Sequence, residues 1–329
     1  MKYSHLFFTS TIVCIMMSSL QSCRETDKTV VEVYETSAGG NALMKIETVS
    51  KAENPISIKI NPDEKFQTIT GFGGSFTEAS AHLLNKLSNA NRQKILNAYF
   101  SEEGANYSLT RTHINSCDFS LSNYAYAMKA GDTNLDSFSI EPDRADLIPM
   151  IKEAMRISKD GFKIIASPWT APPWMKDNND WRGGKLLPQY NNTWALYFSK
   201  YLEAYQKEGI NIWGVTVENE PLGNNNNWES MHYTPEEMTS FVKDYLGPQL
   251  EKSGHAEIKI LGYDQNRGEE LEHWANVMYK DEASSKYFDG MAVHWYASTY
   301  DYFPASLQHT YKLAPSKHII NTEACIDAD

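Results

Sequence analysis

Short apolar runs rich in β-branched residues alternate along most of this chain with longer stretches in which apolar residues recur every three or four positions. The runs predict strands over 68–75, 107–114, 162–167, 212–218, 258–263, 291–295 and 318–322. The stretches between them predict helices over 78–100, 141–159, 191–207, 235–252 and 269–279. Start signals accompany several of these, including Ser88 with Gln93 nearby, and Thr234, Pro235 and Glu237, which match a capping box with proline at the first helical position. Strands that are apolar along their whole length belong in a parallel sheet covered on both faces. The alternation therefore predicts an α/β fold of the (β/α)8 barrel type, whose functional groups gather at the carboxyl ends of the strands. Seven strands precede Asp329, so the expected barrel is incomplete, without its last strand.

Two of these strands end on carboxylates. WGVTVENEP, from Trp213 to Pro221, stops on Glu218, Asn219 and Glu220, and KHIINTEAC, from Lys317 to Cys325, carries Glu323 at its tip. Solvated strand ends would also carry such residues. Two glutamates converging on one barrel mouth, however, supply what glycoside hydrolysis needs: one carboxyl group that gives a proton to the leaving oxygen, and an ionised one that attacks or activates water. Glu218 and Glu220 would share a face of a regular strand, and Glu220, nearer the cleft and followed by Pro221, is the better candidate.

The loops 168–181 and 221–233 are rich in aromatic residues, and the second contains four consecutive asparagines, Asn224 to Asn227. Tryptophan faces stack on sugar rings, while neighbouring amides and carboxylates bond hydroxyls. Trp169, at a strand end, is expected to face a sugar; Trp174 and Trp181 could equally pack their loop onto the barrel. Gly71, Gly73 and Gly74 lack the spacing of a dinucleotide fingerprint and predict close backbone packing instead. His113 and His294 have no second histidine three or four residues away, and no CxxC or HExxH pattern occurs, so no metal is expected. In AVHWYAS, one of His294, Trp295 and Tyr296 is expected to enter the cleft.

A net charge of -12 argues against nucleic acid and against a polybasic membrane patch. Lys2, the apolar stretch from Leu6 to Met17, and Leu20-Gln21-Ser22-Cys23 read as a signal peptide over 1–22. They resemble the leader of bacterial lipoproteins, in which Cys23 would be lipidated. The chain is thus expected to be exported, lipid-anchored at the cell envelope or secreted. Residues 23–58 read as a tether in which 30–34 is the one strand-like piece, and 59–329 as the barrel. Cys117 and Cys325 are expected to be free and buried rather than bridged.

The strings GFGGSFTEAS, YSLTRTHINSCDFS, IIASPWTAPPWMK, VTVENEP, AVHWYAS and TEAC occur in the order found in glycoside hydrolase family 30, which the chain resembles from about residue 60 onward. The resemblance implies a retaining β-glycosidase acting on a glycan or glycolipid, without cofactor. It places Glu220 as acid/base at the fourth strand and Glu323 as nucleophile at the seventh. Asn219 falls on the position that bonds the sugar 2-hydroxyl. Asp118 and Trp169 fall on glucose contacts, and His294 and Tyr296 on cleft positions, with Tyr296 toward the nucleophile. Arg111 resembles the arginine that helps keep the nucleophile ionised. The family continues into an eighth strand and a carboxyl-terminal β-sandwich, both lacking in this sequence. Exo-acting glucosidase, glucosylceramidase and endo-β-1,6-glucanase all stay open within it. A non-catalytic surface glycan-binding protein is the alternative, and a metal hydrolase using His113, His294 and Asp118 has the least support.

Overall fold

All seven apolar runs become strands of one parallel sheet in the computed structural model, which describes residues 31–40, 44–46, 53–223, 227–298 and 300–325. Residues 1–30, over which the leader and the lipidated Cys23 are expected, and Asn224 to Asn226 lie outside the described residues. The chain divides into two units, 1–67 and 68–329. In the first, Tyr34–Glu35 (β1) pairs antiparallel with Met44–Lys45 (β2), so a small hairpin stands where 30–34 was expected to hold a lone strand.

The second unit contains β3 (Ser75–Phe76), β4 (Leu109–Ile114), β5 (Lys163–Pro168), β6 (Gly214–Thr216), β7 (Lys259–Asn266), β8 (Gly290–His294) and β9 (His318–Glu323), each beside its sequence neighbours. This sequential parallel order is that of an incomplete (β/α)8 barrel. The sheet curls far enough for Thr70, ahead of β3, to bond His318 at the start of β9 (Oγ1 to Nδ1, 3.2 Å). Strand β3 is shorter than the run 68–75, yet Phe72 O and Gly74 O still accept from Leu109 N and Arg111 N. The glycines make this approach possible: a Cβ on Gly73 would stand 1.6 Å from Leu109 O.

Helices α1 (Glu78–Asn85), α2 (Asn89–Phe100), α3 (Leu147–Ile157), α4 (Asn191–Lys207), α5 (Pro235–Phe241), α6 (Gly247–Lys252), α7 (Glu269–Lys280), α8 (Glu282–Ser285) and α9 (Pro304–Leu313) connect the strands. The single helix expected over 78–100 is two, because Ser88, extended at φ -59° and ψ 149°, caps α2 through Asn91 N and cannot lie inside a helix. The stretch 141–159 likewise begins as a 3-10 turn. There the Asp143 carboxylate turns inward to accept from Tyr124, Tyr126 and Tyr205 at 2.8, 2.6 and 2.7 Å. Over 235–252 the helix widens to a π-turn at Val242–Leu246, just before Pro248, which has no N–H to donate. Helix α9 was not legible: its fully buried positions are Ser306 and Thr310, which carry no apolar period. Elsewhere the period is plain, as in α3, where Leu147, Ile148, Ile151 and Ala154 enter the core between helices and sheet.

Candidate active site

Inside the curled sheet, Leu109, Ile165, Leu261, Ala292 and Ile320 form an apolar layer with Trp213 packed against it. Side chains two residues further along a strand lie on the same face. On four of these strands that position holds Arg111, Ser167, His294 and Thr322, so a polar layer stands directly on the apolar one. The other strand departs from this rule. In β7, Tyr263 and Asp264 take φ of 73° and 56°, and pairing with β8 skips from Tyr263 to Gln265, which turns Asp264 inward. Pairing of β9 with β8 skips from Asn321 to Glu323, so Thr322 and Glu323 both reach the site. Bulges re-aim side chains in this way at barrel rims.

Arg111 is the hub. Its Nε donates to Ser167 Oγ (3.0 Å), Nη1 to Glu323 Oε2 (2.5 Å), and Nη2 to both Asn219 Oδ1 and Asp264 Oδ2 (2.8 Å each). Its flat face lies 4.7 Å over the Trp169 ring. Burial by itself would ease the proton off this guanidinium, but the charges of Asp264 and Glu323 outweigh it. Asp264 is buried and accepts further from Thr216 (2.7 Å), Thr322 (2.6 Å) and His294 (3.0 Å). Burial opposes its charge; Arg111 and His294 prevail and hold the carboxyl well below the usual carboxylate range.

His294 is buried between two carboxylates, with Nδ1 at 3.1 Å from Glu220 Oε1 and Nε2 at 3.0 Å from Asp264 Oδ1. Burial pulls its pKa down, and the bonds to Asp264 and Glu220 more than reverse this, raising it to about 9. The ring is therefore an imidazolium that donates to both. Glu220 takes φ of 49°, in a turn where its N–H donates to Asp264 O (3.0 Å) and its carbonyl accepts from Gly223 N (2.7 Å). That left-handed residue breaks the strand alternation: Glu220 turns to His294, while Glu218 does not share its face. Glu218 is instead buried near Lys176, and burial pushes its carboxyl well above the ordinary value.

Glu323 accepts from Arg111 and from the Tyr296 hydroxyl (3.1 Å), which also lies 3.0 Å from Cys325 Sγ. One carboxylate oxygen from Glu220, one from Glu323 and a ring nitrogen of His294 all fall within 4.8 Å of one another. This is spacing a metal could use. The donors are nonetheless committed, because both nitrogens of His294 carry protons toward carboxylates and Arg111 already neutralises Glu323. As a carboxylate pair, the separation suits direct attack by one group, for which about 5–5.5 Å is usual, better than the roughly 6.5–9.5 Å that leaves room for an intervening water.

Other expected site residues are placed unevenly. Asp118 stays exposed on the loop after β4, where partial burial and then the negative charges of Glu323, Glu229 and Glu220 push it up to about 6. Trp169 is buried with Arg111 over one face, so it supports the guanidinium. Trp174 packs its loop, its Nε1 donating to Ala127 O (2.8 Å) and its ring meeting Tyr190. His113 is anchored to backbone through Asn115 O and Glu78 N, away from any metal role. Cys117 and Cys325 are both free; Cys117 is buried, but Cys325, expected to be buried, is exposed because it follows the last strand residue. Asp264, Ser167, Thr216 and Thr322 were not singled out in the sequence, although Asp264 directly follows the apolar run 258–263, the same signal that marks Glu220 and Glu323.

Residues 69–329 match the family model described as "Glycosyl hydrolase family 30 TIM-barrel domain". The chain is 37% identical over 308 residues to "Putative glucosylceramidase 3" of Caenorhabditis elegans, covering 89% of this chain and 58% of that protein. It is 34% identical over 338 residues to the "Lysosomal acid glucosylceramidase" of Mus musculus, covering 97% and 65% respectively. Among solved structures, "The endo-beta1,6-glucanase BT3312" aligns with a TM-score of 0.79 at 32% identity, over 90% of this chain and 66% of that one. The chain thus spans 58% and 65% of the lengths of these two curated relatives.

Proposed function

Since the chain belongs to glycosyl hydrolase family 30, we propose that it cleaves β-glucosidic linkages of a glycan or glycolipid with retention of configuration, through two displacements at one carbon. The observation that carries this reading is the approach of Glu220 and Glu323 to within 4.8 Å across a buried Arg111–Asp264–His294 core. Glu323 attacks the anomeric carbon as the glycosidic bond breaks, and Arg111 and Tyr296 hold the carboxylate that attacks. Glu220, tied to His294 through Oε1, gives a proton from its other oxygen to the leaving group. In the second step it takes a proton from the water that displaces Glu323. Asn219, fixed by Arg111, meets the sugar 2-hydroxyl, and Asp118 bonds a hydroxyl of the same ring. Relatives that are glucosylceramidases and an endo-β1,6-glucanase support a glucosyl substrate. A pure glycan binder would gain nothing from a carboxylate pair at this spacing.

Incubation with a 2-deoxy-2-fluoro-β-glucoside bearing an activated leaving group tests the reading. A covalent adduct on the peptide containing Glu323 is expected by mass spectrometry. An adduct on another residue, or none on a folded chain, would overturn it. The leader over 1–22 supports export with Cys23 as a lipid anchor, and loss of radiolabelled fatty acid incorporation in Cys23→Ser would test that assignment.

A further inference from the structure

Lys176, in the β5–α4 connection, keeps a charged end in the interior. The residue is 2% exposed, and its Nζ donates to Asp180 O and to Ser230 O at 2.8 Å each. Burial pulls its pKa down to about 8 against the charges of Glu218, Asp180 and Asp177, so the group is still an ammonium at neutral pH. Burying a lysine is costly, and an uncharged donor would satisfy two carbonyls as well.

The chain around Lys176 is a stiff mount. Trp174 Nε1 donates to Ala127 O (2.8 Å), Met175 is fully buried, and its carbonyl accepts from Leu187 N (2.9 Å). Lys176 and Leu186 bridge the base of a hairpin, closed further by Asp177 N to Lys185 O (3.0 Å) and Lys185 N to Asp177 Oδ1 (2.8 Å). Against this mount lies the returning end of the loop that leaves β6. Ser230 N donates to Trp181 O (3.1 Å), His232 N to Gly184 O (2.9 Å) and Gly183 N to Ser230 Oγ (2.9 Å). Tyr233 N then donates to Pro221 O (3.0 Å), which ties the segment 230–233 to the residue next to Glu220. Glu220 is left-handed, at φ of 49°, a conformation that persists only where the surroundings over-determine it.

We propose that Lys176 is a positioning residue for Glu220: its ammonium pins the segment 230–233, whose bond to Pro221 fixes the turn that aims the acid. This rests on the glycosidase reading above and adds to it a residue that acts through Ser230, Tyr233 and Pro221 and not on the sugar. Proton transfer requires hydrogen-bond reach to the leaving oxygen, and a misplacement of about 1 Å costs on the order of 10²-fold, which gives the buried charge its use.

The test compares an alkyl β-glucoside with a dinitrophenyl β-glucoside in wild type, Lys176→Met and Ser230→Ala. A displaced acid slows the substrate that needs its proton and spares the one that does not. The ratio of kcat/KM, alkyl to dinitrophenyl, is therefore expected to fall about tenfold or more in Lys176→Met. Ser230→Ala takes the acceptor from Gly183 and leaves the ammonium in place. It is expected to shift the ratio the same way by about threefold, and it decides the matter where Lys176→Met does not fold. A residue with only a structural role lowers both substrates alike through the folded fraction, so an unchanged ratio overturns the proposal. If wild type leaves both glucosides intact, the hydrolase reading fails separately. Amide hydrogen exchange at His232 and Tyr233 in whichever variant folds then decides whether the pin holds the loop: faster exchange there with β5 unchanged supports it, and equal exchange overturns it.

Discussion

Asp264 and His294 form a buried ion pair 3.0 Å long that a regular β7 would not make. With unbroken alternation Tyr263 would take the inward place above Leu261, and the polar layer would lose its carboxylate. The bulge costs two left-handed residues, at φ of 73° and 56°, and returns an acceptor for Arg111, His294, Thr216 and Thr322 together. The carboxylate of Glu220 meets His294 and that of Glu323 meets Arg111, so their separation is set by groups behind them.

The charge on His294 makes its stabilisation depend on pH. A histidine whose folded-state pKa is raised from 6.5 to about 9 stabilises the fold fully below 6.5, and that contribution is lost as pH climbs through 9. His294→Gln is expected to be less stable than wild type by about 3 kcal/mol at pH 6. The gap should close in large part by pH 10. Urea unfolding at a series of pH values checks this, and a gap that stays constant would mean the ring is neutral.

Arg111 compensates two carboxylates at once, so its removal leaves Glu323 without its cation and Asp264 with His294 alone. Arg111→Met is expected to cost about 3–5 kcal/mol, as for other broken buried pairs. Asp264→Asn should be costly in its own right, and the double variant should cost clearly less than the sum of the two. A double-mutant cycle by denaturant unfolding measures the coupling; strict additivity would show that the 2.8 Å contact carries no energy.

The strand–helix alternation was legible because β4, β5, β7 and β8 are buried on both faces and read as short runs between the longer helical periods, and because Ser88 and Thr234 mark helix starts with real caps. Glu220 and Glu323 were legible as carboxylates at the ends of such runs, and Arg111, Asn219, His294 and Tyr296 through the resemblance to the family; all six converge. What alternation could not supply is where it breaks. The bulges at Asp264 and Thr322 and the left-handed Glu220 lie in backbone conformations that no sequence period encodes, so the roles of Asp264 and the divergence of Glu218 from Glu220 emerge only in the fold. Trp169 shows a second limit: that its ring also carries the Arg111 guanidinium on one face is not something a tryptophan at a strand end discloses in sequence.

Asp118 is held in conflict with stability. Partial burial and the nearby carboxylates raise it from 3.8 to about 6, so the fold is strained once it ionises. With a raised folded-state pKa, its favourable contribution is full below pH 3.8 and is lost as pH rises through 6. Asp118→Asn is therefore expected to raise Tm above pH 6, to leave it near wild type at pH 4, and to weaken sugar binding. Thermal melts at both pH values check the sign; a lower Tm at pH 7 would sink the argument.

Glu220 and Glu323 should separate by their response to the leaving group. If Glu220 donates the proton, its removal matters most where the departing oxygen is basic and needs that proton. Glu220→Gln is then expected to lose about 10²–10⁴-fold in kcat/KM on an alkyl β-glucoside, and far less on a dinitrophenyl β-glucoside, whose leaving group departs unaided. Glu323→Gln should lose on both alike, because no substrate escapes the need for a nucleophile. His294 sharpens the contrast. It occupies Oε1 of Glu220, so only one oxygen is left for the proton, and glutamine can present an amide there but no acid. Kinetics of the two variants over a series of aryl glucosides give the slope against leaving-group pKa. A steep slope for Glu220→Gln with a flat one for Glu323→Gln is the expected pattern, and the reverse would exchange the two roles.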